Sequence, residues 1–142
     1  MVQFYFLSIV LNALAGYILI SGDESGVLEF KGGFSLKDET FRLIVGILSV
    51  ITGLLKLLSV IEGDVPVLGD LVPALAGFLS GFILIFEYYR NRSSLEKSVD
   101  AESESEYSER IDRILVRNKK IIGVAALAAA VLHFLFPKVL LL

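Results

Sequence analysis

Apolar side chains fall into four long runs along the chain, and each run is interrupted by at most one charge. Val2–Ile20 carries none, Leu43–Ile61 only Lys56, Pro66–Phe86 only Asp70, and Ile121–Leu142 only Lys138. Each run is close to the ~20 residues that a helix needs to cross a ~30 Å hydrocarbon layer. The pattern predicts an all-α integral membrane protein: one domain, a four-transmembrane-helix antiparallel bundle with spans at 2–20, 41–61, 66–88 and 119–141. The segments between them are a first loop at 21–40, an outer turn at 62–65 and a second loop at 89–118. The first run resembles a signal peptide in its Ala13-Leu14-Ala15 before Gly16, but no Lys or Arg leads it, and it is read as a retained span.

Within each run, small and polar residues recur at three- and four-residue intervals and so share one helical face. These faces are Tyr5, Ser8, Asn12, Ala15 and Gly16 in the first run, and Ser49, Thr52, Gly53, Lys56 and Ser59 in the second. The third offers Asp70, Pro73, Gly77, Ser80, Gly81 and Glu87, and the fourth Gly123, Ala126, Ala129, Ala130 and His133. Small residues let membrane helices approach closely, so the four faces are expected to meet, leaving Leu, Ile and Phe for lipid.

Lys56 and Asp70 lie at equal distances from a hairpin centred near Gly63. That symmetry predicts that they face each other at one level; the alternative is that each reaches water separately along its own stem. Tyr5 and His133 are expected in the same half of the membrane, and Asn12 near its middle. Lys56, Asp70, His133, Asn12 and Tyr5 are therefore the candidate lining of a ligand site or an ion path, because ionisable groups in hydrocarbon are costly to keep. The structural alternative is that the histidine is a packing residue and the Lys–Asp pair only sets helix register.

The loops add charge to the picture. Lys31, Lys37, Arg42, Arg90, Arg92, Lys97, Arg110, Arg113, Arg117, Lys119 and Lys120 all fall on one side of the predicted topology, against Lys138 on the other. The positive-inside rule makes the two long loops cytoplasmic and puts both termini outside, in a plasma or inner membrane. Residues 27–36 read as two short extended runs about Gly32-Gly33, a candidate cytoplasmic hairpin after the first span. Lys37-Asp38-Glu39-Thr40 places acids at the entry of the second helix, where its dipole favours them. Ser93–Glu109 is acidic and serine-rich, a solvated linker or a polar helix extension. Arg110, Arg113, Arg117, Lys119 and Lys120 form an amphipathic extension leading into the fourth span and are candidates to attract anionic lipid headgroups.

Composition agrees with this reading and trims the chemistry. Of the 142 residues 55% are hydrophobic, above an ordinary soluble domain, and the net charge of −3 gives no general basic surface for nucleic acid. The absence of cysteine removes thiol catalysis and cysteine-ligated metal centres. No phosphate-cradling glycine loop, HExxH helix, GxSxG elbow or paired-histidine metal site is present, so neither a cofactor nor a metal is expected. The string Ala-Leu-Ala-Gly recurs at 13–16 and 74–77, in helices of the same predicted direction, a hint of a two-plus-two parallel duplication that four residues do not establish.

Arg42-x-x-x-Gly46 followed by Gly53-x-x-Lys56-Leu57 resembles the opening helix of DoxX-type four-helix membrane proteins over one span, although here another helix precedes it. The resemblance assigns no residue a role. Three functional readings follow. The first is a non-catalytic membrane module that self-associates or joins a larger membrane complex. The second is a small ion or solute transporter or channel lined by the polar cluster, and the third is an enzyme acting on lipid. The expected partners are the bilayer and other copies or subunits.

Overall fold

Asp38 starts the helix Glu39–Leu58 as its N-cap: its carboxylate accepts from the Thr40 N–H at 3.0 Å, and its carbonyl from the Arg42 N–H at 3.0 Å. The computed structural model describes residues 2–22, 36, 38–58, 71–96 and 106–136 of the chain. Four helices occupy nearly all of them: α1 Val2–Ser21, α2 Glu39–Leu58, α3 Leu71–Glu96 and α4 Glu106–Leu135. Each is long and apolar enough to cross a membrane, over Gln3–Ser21, Glu39–Leu58, Leu71–Ser93 and Arg117–Leu135. Helix α1 ends on Gly22, whose φ of 54° and N–H to the Ile18 carbonyl at 3.1 Å make a left-handed C-cap.

Helix ends depart from the spans read in the sequence, most at two places. Helix α3 runs on to Glu96 rather than stopping at 88, and α4 begins at Glu106, inside the segment read as loop. At ~1.5 Å per residue, the 26 residues of α3 and the 30 of α4 are longer than a ~30 Å hydrocarbon layer is thick, and both add polar turns to their apolar windows. Hydropathy marks where lipid ends, not where backbone hydrogen bonding ends. The amphipathic extension is thus one continuous helix with the fourth apolar run. The hairpin at 27–36, apart from Leu36, and the turn at 62–65 lie outside the described residues.

Helix α2 packs mainly on α3 and α1 mainly on α4, with α1 also touching α2 and α3, and α3 touching α4. Both main pairs run antiparallel. Gly46 faces Gly81 and Gly53 faces Ala74; Gly16 faces Gly123, and Tyr5 faces His133. Each main pair turns on a reciprocal glycine contact. A Cβ on Gly81 would sit 2.6 Å from the Gly46 carbonyl oxygen, and one on Gly16 2.6 Å from that of Gly123. Such backbone approach is what small residues supply where lipid gives helices no hydrophobic reason to associate.

The expected small and polar faces turn inward. Ser8, Asn12, Ala15, Gly16, Ser49, Thr52, Gly53, Lys56, Pro73, Gly77, Ser80, Gly81, Glu87 and the whole Gly123-to-His133 set are buried. An apolar cluster of Ala15, Ile18, Leu19, Val45, Ile83 and Leu84 fills the half nearer Arg42. The opposite faces, with Phe6, Leu48, Ile51, Leu79, Phe82, Val124 and Val131, are exposed.

Gly81→Ala and Gly16→Ala are expected to lower unfolding stability in detergent by about 1–3 kcal/mol each, since backbone must move to admit the methyl group. Ile47→Ala, on the exposed face of α2, should change it little; equal effects at all three positions would contradict the packing.

Candidate functional site

Charged and hydrogen-bonding side chains gather in two buried clusters at opposite ends of the helices. At the first, Lys56 of α2 and His133 of α4 meet with Nζ and Nε2 2.7 Å apart. Tyr5 of α1 closes this cluster. Its hydroxyl donates to the His133 main-chain carbonyl, its ring centroid lies 4.4 Å from that of the imidazole, and Lys56 Nζ stands 5.2 Å from the ring centre. Lys56 is 5% exposed and His133 1%. The lysine's stem therefore lies among protein side chains, with the ammonium over an aromatic face that favours positive charge.

At the second cluster Glu87 of α3 receives two cations. Arg42 Nη2 approaches Oε2 at 2.6 Å, and Lys119 Nζ of α4 approaches Oε1 at 2.8 Å. One carboxylate thus ties three helices, with each oxygen engaged by a different partner. One turn further along, Asn91 Nδ2 donates to Glu39 Oε1 at 3.1 Å. Glu39, Arg42, Leu84, Glu87, Tyr88 and Asn91 line a shallow notch whose interior of about 10 Å³ has room for roughly one water and no organic ligand.

Between the clusters, Asn12 Nδ2 donates to the Pro73 carbonyl at 2.9 Å. Gly77 makes room for that amide, because a Cβ there would lie 2.7 Å from Asn12 Oδ1. Ser80 returns its hydroxyl to the Ala76 carbonyl at 2.7 Å. Ser49 Oγ is buried without a hydrogen-bond partner among the described residues. Packing accounts for a small residue there, since a Cβ on Gly81 would already stand 3.0 Å from Ser49 Cβ.

These residues repeat every seventh position on all four helices: Tyr5, Asn12 and Leu19; Arg42, Ser49 and Lys56; Pro73, Ser80 and Glu87; Lys119, Ala126 and His133. All but the half-buried Tyr5 and Lys119 are buried. A seven-residue period keeps one face toward the neighbours in slightly tilted helices. Fourteen residues separate Arg42 from Lys56 and Lys119 from His133, about 21 Å along each axis.

Of the residues singled out in the sequence, the structure thus brings together Lys56, His133 and Tyr5. Asn12 lies two turns further along α1, on α3. Asp70, and with it the expected Lys56–Asp70 contact, lies outside the described residues. Arg113, Arg117 and Lys120 are exposed on α4, whereas Lys119 turns inward onto Glu87; the Arg110 side chain is outside the described set. Sequence reasoning missed the Arg42–Glu87 pair as a site. The signal was there: Gly46–Gly81 and Gly53–Ala74 are symmetric about positions 63–64, and Arg42 and Glu87 straddle nearly the same point.

The described residues thus define an all-helical protein with four helices long and apolar enough to span a membrane, carrying buried polar clusters near both helix ends. A protein-family model matches residues 1–133, and an uncharacterized protein of Treponema pallidum (strain Nichols) is 36% identical over 142 residues, 100% of both chains. The chain belongs to the family to which that model and this full-length similarity point. No solved structure matches it.

Glu87→Gln should destabilise the protein by about 3–5 kcal/mol, because buried Arg42 and half-buried Lys119 lose their shared counter-charge. Adding Lys119→Gln should recover part of that loss in chemical denaturation. An unchanged stability for Glu87→Gln, or a purely additive double variant, would contradict the three-helix tie.

Proposed function

We propose that this protein is a non-catalytic integral membrane module: one antiparallel four-helix transmembrane bundle that associates with copies of itself or joins a larger membrane complex. The observation that carries the reading is the direction of its polar groups. Lys56, His133, Asn12, Arg42, Glu87 and Lys119 engage one another or main-chain carbonyls inside the helix cluster. The exposed faces of all four apolar windows carry Phe, Leu, Ile and Val instead. A chain with that division is stable in hydrocarbon and would expose a large sticky surface to water.

The clusters, about 21 Å apart, both fit within a ~30 Å hydrocarbon layer, each some ~5 Å inside its edge. The excess of Lys and Arg in the segments after α1 and α3 orients the bundle with those segments cytoplasmic and both termini outside. On that orientation the Arg42–Glu87–Lys119 tie sits at the cytoplasmic edge. The exposed Arg113, Arg117 and Lys120 then stand level with inner-leaflet headgroups, where each cation attracts anionic lipid with about 1 kcal/mol.

A second reading, a small transporter or channel, is favoured by the three polar layers that follow one another along the whole span. Reconstitution separates the two. For the module, protein extracted in mild detergent and moved to nanodiscs should weigh more than one 15.6 kDa chain, and proteoliposomes should show no ion flux above empty vesicles. A monomer with flux that Lys56→Gln abolishes while leaving the fold intact would replace the module by the transporter.

A further inference from the structure

The helix ends around Glu87 carry charge of opposite sign on opposite sides of the bundle. Arg42 of α2 and Lys119 of α4 reach the same Glu87 carboxylate, which sets these two helices at a common height. Close to that height α2 presents exposed Asp38 and Glu39, whereas α4 presents exposed Arg113, Arg117 and Lys120. Helices α2 and α4 are diagonal, so the acids stand on one side and the cations on the other. An excess of cations at this end of the bundle as a whole would not by itself produce that division.

The basic side continues into an apolar one. At 3.6 residues per turn, Arg113, Arg117 and Lys120 fall within an arc of about 60° on α4, over a rise of about 10 Å. Val124, Val131 and Leu135 prolong the same arc toward the other end of the helix, and Ile114 and Ile121 flank it. All five are exposed, Ile114 by 61% and Ile121 by 68%. Lys119 points elsewhere, onto Glu87. The apolar window of α4 is the least covered by the rest of the chain, 28% buried against 39–44% for the other three. Cations at one end of a stripe and aliphatic side chains along the rest match a lipid's headgroup and its chains. Another copy of the protein in the same orientation, packed on this stripe, would set three cations against three; an anionic headgroup neutralises them.

We infer that the outward face of α4 is a binding site for an anionic phospholipid, its phosphate among Arg113, Arg117 and Lys120 and an acyl chain along Ile121, Val124 and Val131. Exposed Asp38 and Glu39 repel the same lipid from α2, so the bundle sorts lipids around its circumference rather than attracting them evenly. This rests on the membrane reading proposed above and names the lipid partner of its basic end.

The chain contains no tryptophan, so one introduced residue reports its own surroundings by fluorescence. Val124→Trp places it on the α4 stripe; Ile47→Trp places it on the exposed face of α2 at the same height, since 47 follows Arg42 by five residues as 124 follows Lys119. Each variant is reconstituted in bilayers of phosphatidylcholine and phosphatidylglycerol, with one or the other lipid brominated on its acyl chains to quench the indole. At Val124→Trp, phosphatidylglycerol should be favoured over phosphatidylcholine by about fivefold or more, the factor that one cation near a headgroup supplies. At Ile47→Trp the ratio should be near one or below it. Arg113→Gln, Arg117→Gln and Lys120→Gln together should bring the Val124→Trp ratio down to the α2 value. Equal ratios at the two positions, or a preference that survives the three glutamines, would overturn this proposal and leave the membrane reading standing. Quenching of Ile47→Trp but not of Val124→Trp by both lipids would also overturn it, in favour of a protein partner on α4. Quenching of neither residue by either lipid would overturn the membrane reading as well.

Discussion

Hydrocarbon offers no hydrogen-bond partner, and on the membrane reading this constraint accounts for the pairing of the buried charged residues. In water, Lys56, Asn12 or Glu87 could be left on a helix surface at little cost. Within a bilayer each would lose several kcal/mol unless a neighbouring helix answered it. The helices answer in three places: Tyr5, Lys56 and His133 at one end; Asn12 with the Pro73 carbonyl in the middle; Arg42, Glu87 and Lys119 at the other. Glycines at 16, 46, 81 and 123 bring the backbones near enough for these short contacts. Packing and polarity therefore act on the same helix pairs: Gly46–Gly81 with Arg42–Glu87 between α2 and α3, and Gly16–Gly123 with Tyr5–His133 between α1 and α4.

The two ends differ in chemistry. At the Glu87 end a carboxylate sits between two cations, an arrangement that resists change because removing Glu87 strands the buried Arg42 charge. At the Lys56 end two basic groups meet beside the Tyr5 ring, with Nζ and Nε2 2.7 Å apart.

Much of this was legible in the chain itself. The four apolar runs located the helices, and the three- and four-residue spacing of Ser49, Thr52, Gly53 and Lys56 identified the buried face of α2, as Gly123, Ala126, Ala129, Ala130 and His133 did for α4. Choice of partner was harder. Hairpin symmetry compares only consecutive helices, so it offered Lys56 a partner in Asp70, which lies outside the described residues, and could not offer His133, which lies on the diagonal helix and whose approach depends on how α4 seats against α1. The Arg42–Glu87 pair obeyed that symmetry but went unnoticed, because Arg42 reads as one of the loop cations and Glu87 only as the last member of the third polar face. The far ends of α3 and the start of α4 were obscured for a related reason: Glu, Arg, Tyr and Ser are hydrophilic yet remain helical once a preceding or following span has nucleated the helix.

Collision accessibility of spin labels scanned along α2 in lipid bilayers tests the inward turning of polar residues most directly, on a chain with no native cysteine to remove. Membrane-soluble oxygen should reach labels at positions 44, 47, 48, 51, 54 and 55 freely, and those at 45, 49 and 52 poorly, with a 3.6-residue period. Oxygen reaching 45, 49 and 52 as readily as 47 and 51, or a water-soluble reagent reaching both sets alike, would show that α2 does not bury its polar face in a lipid-embedded cluster.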